Sequence, residues 1–291
     1  MKFGLQKLKE MQGSYIITDL NGELSASCRK ELLQKGYKVR TLDLIDLAGS
    51  MHYNPFAYLT STGDIMDIAE IFTKQLMTSE NPKRTEKSLY YRMFFCALFG
   101  YVKEAYLPEE QTFKKVLDIL NDIDTGQLEH DAETSLDRLF DDWNDKTKGQ
   151  SFAVRNYRTF KTSVSERTTK DILLHIITEC RQLLTPEILE ITGSDEMKLG
   201  KFGKKDTAVF ILWKEGQVKY EFLMNALMVQ LSAVLCKQRR NLKSFRPKKA
   251  GYITYIHDFK LESLSGLTEN MSHYMHIVDS RNQLIRPVQI S

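Results

Sequence analysis

Tyr15-Ile-Ile-Thr-Asp19 is a β-branched run preceded by Gly13-Ser14 and closed by Asn21-Gly22. A short apolar run bounded by turn residues predicts a buried strand. Glu23 to Gln34 then reads as a helix stopped by Gly36, and Tyr37 to Leu44 (YKVRTLDL) as a second strand. Strand, turn, helix and strand in that order predict a right-handed parallel β-α-β unit. Binding residues gather at the carboxyl ends of strands in such sheets, which puts Asp19 to Glu23 at a candidate site edge.

Beyond His52-Tyr-Asn-Pro-Phe56 the period becomes helical for more than a hundred residues. Phe113, Val116, Leu117 and Leu120 follow helical spacing, as do Leu136, Leu139, Phe140 and Trp143. Glu86 to Lys103 reads as an aromatic-rich helix, with Pro108 placed to start the next. Strand signals return at Thr207 to Trp213, Gly251 to Ile256 and Leu284 to Ile290, separated by helices at about Tyr220 to Cys236 and Leu267 to Val278. The expected organisation is an α/β domain in two parts, residues 1–59 and 158–291, split by an all-α insertion over residues 60–157.

The chain has 291 residues and a formal charge of +3 from 41 bases against 38 acids, with a hydrophobic fraction of 42%. That composition excludes disorder and low complexity. The longest apolar run, Met93 to Val102, is about half of what a membrane helix needs, so no membrane insertion is expected. Residues 1–12 (MKFGLQKLKEMQ) lack the apolar core of a secretory signal, and a cytoplasmic location is expected. Cys28, Cys96, Cys180 and Cys236 have no zinc-like spacing and read as buried thiols.

Two charge runs stand out. Residues 237 to 249 (KQRRNLKSFRPKK) carry seven bases, Lys237, Arg239, Arg240, Lys243, Arg246, Lys248 and Lys249, and no acid. Such a run is either a solvated loop between a helix and a strand or a phosphate-binding segment. Between Asp118 and Asp145 ten carboxylates face one base, Arg138. This is either a soluble face or a docking surface for basic proteins. His175 reads as a core or boundary histidine, and His273 with His276, three apart on a predicted helix, lack a third metal ligand.

In order, Asp19-Leu-Asn-Gly-Glu23, Tyr53-Asn-Pro-Phe56, His257-Asp258-Phe259, Ser280-Arg281-Asn282 and Val288-Gln289-Ile290-Ser291 resemble the landmarks of conjugative coupling proteins, the TraG/TraD-like component of type IV secretion systems. That family reads D-P-K-G-E, Y-N-P-F, D-E-F, S-R-N or S-R-E, and Q-S or Q-N at these places. The resemblance implies a RecA-like domain, with a parallel sheet flanked by helices and an all-α insertion. It further implies an ATP- and magnesium-dependent motor, assembled as a homo-oligomeric ring on the cytoplasmic face of the cell membrane, that moves single-stranded DNA toward relaxosome and secretion-channel partners.

The chemistry of that motor is altered here. No G-x-x-x-x-G-K-[ST] phosphate loop occurs; in the family that loop precedes the position of Met1. His257 stands where the family has the magnesium-binding Asp, and imidazole is a poor ligand for that cation. Asp258 stands where the family has a water-polarising Glu; in the alternative register Asp258 is the magnesium group and no Glu remains. Leu20 and Asn21 replace Pro and Lys, while Asp19, Gly22, Glu23 and Gln289 keep the family-equivalent places. Asp19 to Glu23 also read, more simply, as a strand-end turn. No catalytic residue, cofactor or metal is expected of the chain alone. The expected function is a DNA-transfer component without independent ATP hydrolysis, single-stranded DNA being held by the basic run; the alternative is an interaction module recognising relaxosome or substrate proteins through the all-α domain.

Overall fold

The computed structural model describes residues 14–77, 86–123, 134–202, 206–214, 216, 218–241, 253–257, 275–278 and 284–285. The chain divides into two units, residues 1–53 with 196–291, and residues 54–195.

The first unit is built on a sheet of β1 (Ser14–Leu20), β2 (Lys38–Asp43), β3 (Thr207–Trp213), β4 (Ile253–His257), β5 (Met275–Val278) and β6 (Leu284–Ile285), in the order β2-β3-β1-β4-β5-β6. All pairings but the last are parallel. β1 and β3 lie side by side, Tyr15 opposite Ala208, and are buried along nearly their whole length. This is why both sequences are continuous apolar runs and not alternating ones. Helix α1 (Glu23–Gln34) presents Leu24, Cys28 and Leu32, spaced by four, to Tyr15, Ile17, Ala208 and Phe210. Burial, with the charges of Asp19 and Glu31 behind it, pushes the Cys28 thiol up to about 12, so this cysteine is an inert core group.

Three expectations change here. Helix α9 (Glu221–Asn241) runs past Cys236 and takes in the first five residues of the basic run. Met275–Val278 is a strand beside β4, not the end of a helix, so His276 loses the helical spacing to His273, which lies outside the described residues. Of the run Leu284 to Ile290, Leu284–Ile285 alone is described, as an antiparallel edge strand where a parallel one was expected.

The second unit contains α2 (Thr62–Leu76), α3 (Glu86–Ala105), α4 (Phe113–Asn121), α5 (Ser135–Thr147), α6 (Phe152–Ser163), α7 (Glu166–Leu183) and α8 (Pro186–Ile191). It runs over residues 54–195, where the sequence suggested 60–157. Residue 157 falls inside α6, whose Tyr157 stacks on Phe140 at 4.1 Å and whose Phe160 meets Phe94 at 5.5 Å. Cutting there would split one helix and one aromatic core. Ser61, Thr112, Thr134, Ser151 and Ser165 each accept a backbone N–H at a helix start, which fixes five of the seven N-termini among the described residues. Pro108 sits in the turn before α4 and not at its start, because Thr112 takes the cap.

The acidic run is less open than its composition suggests. Asp137 closes a capping box with Thr134 and accepts from Tyr157 Oη at 2.7 Å, with Lys161 Nζ at 3.0 Å. Burial pushes its carboxyl up, but these hydrogen bonds outweigh burial and hold it below the usual range. Asp118 pairs with Lys114 and Asp141 with Arg158. His175 is half-buried, its Nδ1 2.8 Å from Tyr91 Oη, as expected of a boundary histidine.

Candidate functional site

β1 ends at Leu20, and Asn21 (φ 62°) and Gly22 (φ 77°) both take the left-handed conformation. Two such residues in succession turn the chain sharply enough to set the start of α1 over the strand end. The carboxylate of Asp19, fully buried, then accepts from Leu24 N at 3.0 Å and Ser25 N at 2.7 Å. These are first-turn amides that no helical carbonyl can reach, and a carboxylate there also complements the helix dipole. Glu23 is exposed in the same turn. Asp19, Gly22 and Glu23 thus come together as the structural cap of α1.

His257 closes β4 at the same edge of the sheet, opposite Thr18, one residue before Asp19. Asp258 and Gln289 lie outside the described residues. Among the described residues, Asp19 and His257 do not by themselves make the set of oxygen ligands that magnesium prefers. At this edge the buried carboxylate of Asp19 accepts from two backbone amides, and the neighbouring strand, as far as it is described, ends in His257. Among the described residues no group of three or more His, Cys, Asp or Glu converges as a metal site.

Replacing Asp19 tests the capping role. Asp19→Ala strands two buried amides, and at about 1–2 kcal/mol each the unfolding free energy falls by about 2–4 kcal/mol. Urea unfolding measures it, and a loss below about 0.5 kcal/mol would show that the two capping bonds contribute little to stability.

Sequence reasoning missed a set of buried polar ties around this sheet. Arg40, 7% exposed on β2, donates through Nη1 to the carbonyls of Met197 and Lys198. His52 N donates to Glu196 Oε2 at 2.9 Å, and Glu196 N donates back to the carbonyl of His52 at 2.8 Å. The two ends of the split domain are therefore stapled where the helical insertion leaves and re-enters. Tyr53 Oη donates to Gln230 Oε1 of α9 at 2.7 Å, both groups buried. A buried tyrosine in a loop was the available signal. In the next motif residues, Asn54 Oδ1 accepts from Phe56 N while its Nδ2 donates to Gln111 O, so Asn-Pro-Phe is a local turn device of the helical unit.

Of the candidate phosphate-binding residues, Lys237 is exposed on α9, and Arg239 and Arg240 follow on its last turn. Lys243, Arg246, Lys248 and Lys249 lie outside the described residues. The two units differ sharply in charge. The α/β unit holds 24 bases against 14 acids, net +10, and the helical unit 17 against 24, net −7.

Residues 6–255 match the family model described as Type IV secretory system Conjugative DNA transfer. No curated protein matches the chain in sequence. Among solved structures, it is similar to the bacterial conjugative coupling protein TrwBdeltaN70 in its unbound monoclinic form, at 15% identity and a TM-score of 0.52, covering 92% of this chain and 55% of that one. It is also similar to the plasmid coupling protein TrwB in complex with the non-hydrolysable GTP analogue GDPNP, at 12% identity and a TM-score of 0.46, covering 91% and 62%. The first likeness fixes the fold as RecA-like, and the chain spans just over half the length of that relative.

Proposed function

This chain belongs to the Type IV secretory system conjugative DNA transfer family, and on that premise we propose that it acts in DNA transfer as a two-sided adaptor without ATP turnover of its own. The observation that carries this reading is the charge partition, +10 on the RecA-like unit and −7 on the helical unit, within a chain whose total is only +3. The cationic unit attracts single-stranded DNA and concentrates its bases between Lys237 and Lys249. The anionic unit repels DNA and suits basic relaxosome or secretion-channel proteins. The altered nucleotide positions support a binding role over a catalytic one. Among the described residues no helix is long and apolar enough to cross a membrane, and a place on the cytoplasmic side, beside the channel, accords with the reading.

Fluorescence anisotropy with a labelled oligothymidine tests the DNA side. Neutralising Arg239, Arg240, Lys243 and Arg246 together is expected to weaken binding at least about tenfold at 0.1 M salt. It should also flatten the slope of log K against log salt by up to about 0.7 per lost contact. An unchanged slope would leave the basic run a solvated segment and remove the DNA half of the proposal.

A further inference from the structure

The α5 helix carries a stripe at positions three and four apart: Arg138, Leu139, Asp142, Trp143 and Lys146. With Tyr101 of α3 they line an open groove of about 310 Å³, near the lower end of the roughly 300 to 1,000 Å³ typical of ligand sites. Leu139, Trp143 and Tyr101 are half-buried at its floor, and Arg138, Asp142 and Lys146 are exposed along its rim. Among the described residues no ion pair takes up any of these three charges. The floor is rigid. Trp143 Nε1 donates to Glu104 Oε2 at 3.0 Å, and Glu104 in turn accepts from Ser151 Oγ and from the amides of Phe152 and Ala153 at the start of α6. Tyr101 stands edge-on to the indole at 5.6 Å and 83°.

We propose that this groove is a docking site for an amphipathic helical segment of a partner protein, one that inserts an aliphatic side chain between Trp143, Leu139 and Tyr101 and sets acid, base and acid opposite Arg138, Asp142 and Lys146. The inference rests on the reading of the helical unit as a protein-recognition module and names the chemistry of one partner element. A pre-organised aromatic floor with a charged rim is the form in which helix-in-groove recognition gains affinity at low ordering cost. The rim reads plus, minus, plus at intervals of four, so its complement is the same in either helix direction. Nucleic acid is the poorer occupant. Asp142 sits midway along the rim, Asp141 and Asp145 flank it in sequence, and phosphates at successive nucleotides would meet that charge.

The test uses the full chain and two capped, alanine-rich peptides of about 15 residues. One carries Glu, Lys, Glu at spacing four with Leu after the first two, and the other carries Lys, Glu, Lys. Trp143 and the buried Trp213 are the two tryptophans, so indole emission reports on the groove. The first peptide is expected to shift emission with a Kd of about 100 μM or tighter, and the second to bind roughly tenfold more weakly. The triple exchange Arg138→Glu, Asp142→Lys, Lys146→Glu, at exposed positions that leave the fold intact, inverts that preference. Equal binding of the two peptides, binding of neither, or a preference that does not invert overturns the site, as does oligothymidine competing at Trp143. Should neither peptide bind while an arginine-only nonapeptide does, the groove falls and the acidic docking reading of the unit stands.

Discussion

Incubated with ATP and magnesium, the 291-residue chain is expected to release phosphate no faster than buffer, with or without single-stranded DNA. Phosphoryl transfer depends almost entirely on positioning and charge neutralisation, by backbone amides around the phosphates, a cation near them, and a metal held by oxygen ligands. Here Asp19 caps α1, Asn21 occupies the place of a family lysine, and His257 ends the strand beside Thr18. Removing one electrostatic stabiliser typically costs about 3 kcal/mol of barrier, and two such losses slow turnover about 10⁴-fold. Returning the strand end to the family pattern with His257→Asp and Asp258→Glu together is expected to restore nothing, because Asn21 still stands where the family carries a lysine. Turnover near one per second that follows the protein through purification would defeat the non-catalytic reading.

Residues 14–43 of the α/β domain were legible because each element is bounded by a residue that leaves little choice. Asn21-Gly22 and Gly36 need left-handed backbone, and α1 runs between them over the range expected, Glu23–Gln34. The role of Asp19 was half-legible: a strand-end turn was foreseen, but the reach of its side chain to residues five and six ahead depends on the double left-handed turn, which composition does not reveal. The exit from the helical unit was not legible. α6, α7 and α8 carry the same amphipathic spacing as the helices before them, and nothing local distinguishes a helix that packs on Phe94 from one that covers a sheet. The apolar pattern that marks α9 stops at Cys236, yet arginine and lysine are good helix formers, and the helix runs on through Lys237 to Asn241. Met275 to Val278 is a four-residue apolar run, too short for periodicity to decide between helix and strand.

Phe99→Ala is expected to lower the stability of the helical unit by about 3–5 kcal/mol. Phe99 is fully buried on α3 and lies within 5.9 Å, centroid to centroid, of Phe56, Phe72, Phe95 and Phe113. Two of those contacts are edge-on within 5.6 Å, and each such pair adds about 0.5–1.5 kcal/mol beyond burial. Truncation removes all four contacts at once and leaves a void whose walls are themselves rigid rings, so little of the loss can be recovered by collapse. Phe56 belongs to the Tyr-Asn-Pro-Phe motif, whose turn is pinned by Asn54, and Lys103 Nζ donates to the Phe56 carbonyl at 3.2 Å and to Gln111 Oε1 at 2.7 Å. The motif therefore acts as the anchor by which the entering chain enters the helical core. On that account Phe99→Ala and Asn54→Ala should be coupled, their combined loss differing from the sum of the single losses by more than about 0.5 kcal/mol. Thermal and urea unfolding of the two single variants and the double variant give the comparison. Strict additivity would show that the turn pinned by Asn54 does not position Phe56 in the core.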